Sequence, residues 1–208
     1  MIEVLRSGLA TFFVYALAAI FAQNAVLTRS FGASRLLKLV DDPAMDTMLF
    51  SGLLCIVQLI SALLGYGLNQ LLLPYTFGAG SIYLRPVLLV AAAIIAFFIV
   101  MIAVATIFKK RKSLTRVAAA LPAASFNCCI LGTLLLMTNK NYTLLQTIGF
   151  ALGTGVGYML AALLVSESQR TLHSRNLPKS FRGLPASLVY LGILALALHG
   201  FMGQMLTI

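Results

Sequence analysis

The stretch LPAASFNCCILGTLLLM, Leu121–Met137, decides how this chain is interpreted. It is apolar enough to cross a membrane, yet Asn127, Cys128 and Cys129 lie near its middle. Lipid offers no hydrogen-bond partner to an amide and no metal to a pair of adjacent thiols. Such groups in the middle of a span therefore indicate a site or a buried contact within the protein. A second amide, Asn24, lies near the inner end of the first apolar segment, in FAQNAVLTRSFGAS. These two places together form the candidate site.

The composition predicts an all-α integral membrane protein. Of the 208 residues, 61% are hydrophobic and only 10% are charged, whereas soluble domains are about 45–50% apolar and about 25% charged. Several apolar runs reach the roughly 20 residues that span a lipid bilayer as a helix, which disfavours a β-barrel. The net charge of +10 comes from basic residues gathered in short loops, which is typical of cytoplasmic loops and not of a nucleic-acid-binding protein.

Hydropathy predicts six transmembrane helices. They cover approximately Leu5–Thr28, Met48–Leu73, Tyr83–Phe108, Val117–Met137, Leu144–Val165 and Leu184–Leu206. The run after Arg6 is interpreted as the first span and not as a signal peptide, because no small-x-small cleavage pattern precedes a soluble body. If the helices alternate in direction, twelve of the fifteen basic residues fall in the first, third and fifth loops. This bias predicts that those loops are cytoplasmic and that both termini lie outside.

The two asparagines fall on the first and fourth spans, which suggests two inverted repeats of three helices. One membrane domain over 1–208 then consists of a first repeat of about 1–108 and a second of about 115–208. Such repeats place sites at their interface, often where helices are broken, so the first and fourth helices are candidates for a break near the midplane. Four glycines of the fifth span, Gly149, Gly153, Gly155 and Gly157, predict close helix packing.

The residues alone leave the chemistry of the site open. Thiolates bind iron, zinc and copper(I), but Cys128 and Cys129 point about 100° apart on a helix, so a cluster needs further ligands. A buried helix cysteine is also a common small apolar residue, and Asn127 equally suits a hydrogen bond between helices. The spans contain no ionisable relay and no motif for nucleophilic or phosphoryl chemistry, so no catalytic residue is predicted.

Four motifs resemble those of the Rnf/Nqr family of membrane proteins. They are QNAVLTRSFGAS at Gln23–Ser34, IYLRP at Ile82–Pro86, LPAASFNCCILG at Leu121–Gly132 and LPKSFRGLPASL at Leu177–Leu188. The whole chain resembles the six-helix A subunit of Rnf-type ion-translocating electron transport complexes and is similar to the matching subunit of sodium-pumping NADH:quinone reductase.

The resemblance implies a subunit of the prokaryotic inner membrane that pairs with a homologous six-helix subunit of opposite orientation. It also implies flavin-carrying and ferredoxin-like partner subunits and one 2Fe–2S cluster shared by the pair, with two cysteines from each. Cys128 matches one family cysteine, and Ser34 stands where the other is expected. Cys129 is a possible substitute ligand, with Asn24 and Asn127 beside the cluster. The family also tends to carry an acidic residue late in the third helix, and the matching place in this chain is near Met101.

Three hypotheses are compatible with the sequence. The first is a subunit of an ion-translocating oxidoreductase, non-catalytic alone, that helps to pass electrons across the membrane. The second is a diverged, cluster-free paralogue with a structural or transporter-like role. The third is a small-solute permease subunit in which Asn24 and Asn127 touch a neutral solute.

Overall fold

The computed structural model describes residues 2–41, 46–72, 80–107, 111–172 and 183–205, and this part of the chain contains helices and turns but no strand. The helices are α1 (Ile2–Leu17), continued by a π-helical turn (Ala18–Ala22), then α2 (Ala33–Asp41), α3 (Thr47–Leu72), α4 (Gly80–Ile107), α5 (Arg111–Ser125), α6 (Cys128–Asn139), α7 (Leu144–Leu172) and α8 (Leu184–Met205).

Three helices are long and apolar enough to cross a membrane, namely Thr47–Leu71, Arg85–Thr106 and Leu144–Ser168. They correspond to the second, third and fifth predicted spans. The fourth predicted span is a pair, Arg116–Ser125 and Cys128–Asn139, bent by 43° at the break between them. The first and sixth correspond to shorter apolar helices, Arg6–Ala22 and Pro185–Gly200. The described part of the chain therefore shows a helical membrane protein with at least one bent span.

Two boundaries differ from the sequence prediction. The first span was expected to remain helical to Thr28, but the α-helix ends at Leu17 and the π-helical turn after it ends at Ala22. Beyond this point the side chain of Asn24 accepts backbone hydrogen bonds that a continued helix would make to its own carbonyl groups. The segment that follows was interpreted as a loop, yet it contains the nine-residue helix α2. This helix forms because Leu36, Leu37 and Leu39 bury their side chains in the core while Lys38 remains exposed.

The core is built around α3 and α7, which pack against each other more extensively than any other described pair of helices. Glycines of α7 allow close contact with two helices, with α1 at Gly149 and with α3 at Gly155. A Cβ added at Gly149 would lie 2.6 Å from the carbonyl oxygen of Phe12, and one at Gly155 would lie 2.5 Å from Sγ of Cys55. Backbones approach this closely only where a side chain is absent, so the predicted packing role of these glycines is confirmed.

Large apolar side chains remain exposed on the outer helices. On α4 they include Val87, Ile94, Phe98 and Ile102, and on α8 they include Leu188, Val189 and Leu196. An apolar surface of this extent is costly in water and suits contact with lipid or with another membrane protein.

Candidate functional site

The first interruption of the bundle is held by Asn24. Its Oδ1 accepts hydrogen bonds from the backbone N–H groups of Val26 at 3.0 Å and Leu27 at 3.1 Å. Its Nδ2 donates to the carbonyl oxygens of Ile20 at 2.9 Å and Gly157 at 3.1 Å. The side chain is fully buried, and both polar atoms use their full capacity within the chain. Asn24 thus satisfies the backbone groups that a helix break leaves without partners.

Asn127 holds the second interruption in a related way. It adopts an extended backbone (φ −100°, ψ 135°) and forms the N-cap of α6, where its Oδ1 accepts the N–H of Cys129 at 3.1 Å. Its Nδ2 donates to the hydroxyl oxygen of Tyr158 at 3.4 Å. Asparagine is favoured at this position because its side-chain oxygen reaches the first free amides of the helix.

The two asparagines contact consecutive residues of α7, Gly157 and Tyr158. The segment that follows Asn24 also reaches Asn127 through Gly32, which has a φ of +78°. A Cβ at Gly32 would lie 2.7 Å from Oδ1 of Asn127 and 3.1 Å from the ring of Tyr158. The structure therefore brings both predicted motifs into one contact region, and only glycine satisfies both the backbone angle and the space at position 32.

A cavity of about 300 Å³ opens beside this contact, and we call it the Ser34–Cys128 cavity. The exposed side chains of Ser34 and Cys128 both line it. The N–H of Gly32 donates to Sγ of Cys128 at 3.0 Å, so the thiol is fixed against the loop that carries Ser34. The remaining lining residues come from the same two segments and are Ser30, Gly32, Ala33, Arg35, Lys38, Phe126 and Asn127. The two predicted metal-binding positions from distant parts of the chain thus face one space.

Cys129 lies on the other side of the helix. It is fully buried in the core and does not line the cavity, as expected from the 100° rotation between neighbouring helix residues. Cys55 is half-buried against Gly155. Within the described ranges, no three His, Cys, Asp or Glu side chains come together as a group that could hold a metal ion. Among the described residues, this chain therefore presents one thiol, that of Cys128, and two serine hydroxyls, those of Ser30 and Ser34, to the cavity.

Sequence reasoning missed three features of the site. Arg35 and Lys38 were counted only as loop charges, yet they line the cavity and make it electropositive. Tyr158 carried no sequence signal, because an aromatic residue in an apolar helix is ordinary. Gly32 did carry one, since a glycine next to a predicted helix break is typical of a positive φ.

The fold and the site define a helical membrane protein with two asparagine-capped interruptions and a thiol-bearing cavity where they meet. The chain belongs to the Rnf-Nqr family, because the family model described as "Rnf-Nqr subunit, membrane protein" matches residues 12–205. The resemblance inferred from the four sequence motifs is thereby confirmed.

Individual relatives agree with this assignment. The chain is 32% identical over 151 residues to the A subunit of the ion-translocating oxidoreductase complex of Shewanella piezotolerans, which covers 71% of this chain and 74% of that protein. It is 39% identical over 83 residues to the A subunit of the complex of the same name from Syntrophotalea carbinolica, covering 40% of this chain and 43% of that protein. It is 34% identical over 83 residues to the E subunit of the Na(+)-translocating NADH-quinone reductase of Psychromonas ingrahamii, covering 40% and 41%. The matches to the last two thus span less than half of each relative.

Proposed function

We propose that this chain is a membrane subunit of an ion-translocating oxidoreductase complex of the Rnf/Nqr type. It is non-catalytic by itself and contributes to electron transfer across a prokaryotic inner membrane. The observation that carries this proposal is the Ser34–Cys128 cavity, because two sequence-distant positions that were predicted to bind a metal face one space in a member of the Rnf-Nqr family.

The proposal includes six spans in two inverted repeats, with both termini outside. The paired interruptions support it: Asn24 and Asn127 each follow an apolar helix, and each accepts hydrogen bonds from the backbone amides of the next residues. The basic loops between the spans support the orientation. In this arrangement a homologous subunit of opposite orientation covers the cavity, and flavin-carrying and ferredoxin-like subunits complete the complex.

The cavity fits a metal–sulfur centre only in part. Cys128 presents a thiol that is exposed and already accepts a backbone hydrogen bond, a contact that tunes the sulfur ligands of such centres. Ser34 offers a hydroxyl, which is a harder ligand than a thiolate. Cys129 is less suited to replace it, because it faces the core. This chain therefore presents to the cavity one of the two thiolates that a 2Fe–2S cluster shared with a homologous subunit would need from it.

The serine supports a second candidate function, in which this subunit keeps the fold but holds no cluster and acts as a structural or transporter-like component. A permease function receives no such support. The hydrogen-bonding capacity of Asn24 is used within the chain, so this amide is not free to touch a solute.

The experiment is anaerobic purification of the tagged chain from native membranes, with identification of co-purified proteins and measurement of iron and visible absorbance. We expect flavin-carrying subunits and a second membrane subunit to co-purify; a chain that purifies without them would contradict the proposal. Cys128→Ser should remove the iron, whereas Cys129→Ser is the matched control at the neighbouring thiol.

Ser34→Cys separates the two candidate functions. Suppose that the wild-type complex contains less than one cluster's iron per chain. If Ser34→Cys then raises the iron content of the complex, Cys128 and position 34 belong to one metal centre. If the intact complex contains no iron bound through Cys128, and Ser34→Cys does not introduce any, the cluster-free function replaces the first.

A further inference from the structure

A second cavity, of about 400 Å³, lies at the end of the bundle where α3 and α6 finish and α4 and α7 begin. We call it the Arg85 cavity. The described residues that line it are all different from those that line the Ser34–Cys128 cavity. Among the described residues that line it, none is acidic and one, Arg85 of α4, is charged.

Arg85 is a half-buried cation that has no partner among the described residues. Its guanidinium makes neither a hydrogen bond nor an ion pair with any residue that the structure describes. A guanidinium remains charged at all physiological pH values and presents five N–H donors in a planar fork that matches carboxylate and phosphate groups. A partly desolvated cation of this kind is stabilised by an anion placed against it.

Polar groups form a large part of the accessible lining of the cavity. Asn69 and Gln70 near the end of α3, with Asn141 after α6, supply uncharged amides near the helix ends. Ala62 and Leu134 lie one to two turns deeper along the same helices and are only 1% and 2% exposed, so they close the cavity and offer almost no surface to a ligand. The cavity is therefore a cationic, amide-lined recess at the end of a helical bundle whose outer helices expose apolar side chains.

We infer that the Arg85 cavity binds a phosphate-type anion whose oxygens pair with the Arg85 guanidinium. The neighbouring amides can donate to the remaining oxygens of such a group. In a helical membrane protein, an anionic phospholipid offers this group in its headgroup, and its acyl chains then lie against the exposed apolar surface of the outer helices. A free phosphate ion has the same oxygen chemistry but makes no use of that surface.

The test uses the full chain extracted in a neutral detergent. Phosphatidylglycerol, phosphatidylcholine and inorganic phosphate are added separately, and bound molecules are counted by native mass spectrometry alongside the thermal unfolding midpoint. We expect phosphatidylglycerol to bind and to raise the midpoint, and phosphatidylcholine to do neither. If inorganic phosphate binds and competes with the lipid, the Arg85 cavity is an anion-binding site whose ligand is a free phosphate ion and not a lipid headgroup.

Matched variants locate the site. Arg85→Gln should weaken phosphatidylglycerol binding by roughly tenfold or more, because it removes a charge-assisted contact. Lys140→Gln is the control, since Lys140 lies near the same end of the bundle but donates to Gln23 at 3.4 Å and does not line the cavity. Its binding should remain within about twofold of wild type. Arg85→Lys keeps the positive charge but lacks the planar guanidinium, so its loss of phosphatidylglycerol binding should be intermediate. This variant replaces Arg85→Gln in the test if Arg85→Gln does not fold.

Three results would overturn the inference. One is wild-type binding that does not distinguish phosphatidylglycerol from phosphatidylcholine while phosphate also fails to bind. Another is an Arg85→Gln protein that binds as well as wild type. The third is an equal loss in Lys140→Gln, which would mean a diffuse attraction to that end of the bundle and no built site.

Discussion

At the scale of single residues, the two asparagines explain why polar groups occur inside apolar segments. Asn24 makes four hydrogen bonds and Asn127 makes two, and most of them satisfy backbone groups at a helix break. Their depth in apolar sequence predicted that they point inward. Their capping role could not be predicted, because it depends on where the backbone leaves the helix.

Replacement of Asn24 should destabilise the protein more than replacement of Asn127. Asn24→Leu leaves four backbone groups without their partner and should lower the free energy of unfolding by about 2 kcal/mol or more. Asn127→Ala removes one N-cap bond and one weak bond to Tyr158, and should cost about 1 kcal/mol. Thermal denaturation in detergent, followed by circular dichroism, measures both. The reverse order of stability would show that Asn24 is not the main anchor.

Gly32→Ala tests the contact between the two interruptions. The new Cβ would lie 2.7 Å from Oδ1 of Asn127, and the φ of +78° is unfavourable for alanine, so a loss of about 2 kcal/mol is expected. Gly52→Ala is the control, because no atom lies within 4 Å of its Cβ position. That helix-interior change should leave stability unchanged or raise it by up to about 1 kcal/mol. Equal effects of the two substitutions would contradict a special role for Gly32.

At the scale of the elements, α7 is the helix on which both interruptions and α3 converge. Its glycine face was readable from the sequence, because four small residues at helical spacing predict close packing. The inverted-repeat interpretation made the fourth helix a candidate for a break, and the structure shows a 43° bend between α5 and α6, but the hydropathy pattern alone did not predict it. An apolar stretch with one internal asparagine fits a straight helix as well as a broken one, and the choice depends on tertiary contacts such as that with Tyr158.

Gly153→Ala should separate α1 from α7. Its Cβ would overlap the carbonyl oxygen of Ala16 and lie 2.8 Å from the Cβ of Ala19, and a backbone atom cannot move aside as a flexible side chain can. We expect a loss of about 1–3 kcal/mol in unfolding free energy. Gly192→Ala on α8 is the matched control, with no neighbour within 4 Å of its Cβ position. The closeness of the helices is measured by cross-linking cysteines placed on α1 and α7. Unchanged cross-linking and stability in Gly153→Ala would refute this packing.

At the scale of the whole molecule, composition predicted a membrane protein, since a chain that is 61% hydrophobic and 10% charged is far more apolar than a soluble domain. Apolar runs of about 20 residues then predicted that it is helical. The helix α2 was not predicted, because it is short and amphipathic and lies in a segment whose charges indicated a loop. Ser34 and Cys128 were named as metal positions from the family resemblance, and the structure places both of them on one cavity. Its volume and its basic lining arise from the packing of segments distant in sequence, which no local pattern encodes.

The predicted orientation is tested by labelling from the two sides of the membrane. Lys38→Cys and Lys140→Cys, each exposed, are placed singly in a background without the native cysteines. A membrane-impermeant maleimide added to spheroplasts should label Lys140→Cys at once, whereas Lys38→Cys should require permeabilisation, because basic loops remain on the cytoplasmic side. The opposite pattern would invert the topology.

The different exposure of Cys128 and Cys129 also has a consequence for handling in air. One thiol faces the cavity and the other faces the core, so closing a disulfide between these neighbours would require pulling Cys129 out of its packed position. Oxidation should instead occur at Cys128, either with a small thiol from solution or with Cys128 of a second molecule. Mild oxidation of the extracted chain is therefore expected to give covalent dimers on non-reducing gels, and reducing agent should return them to monomers.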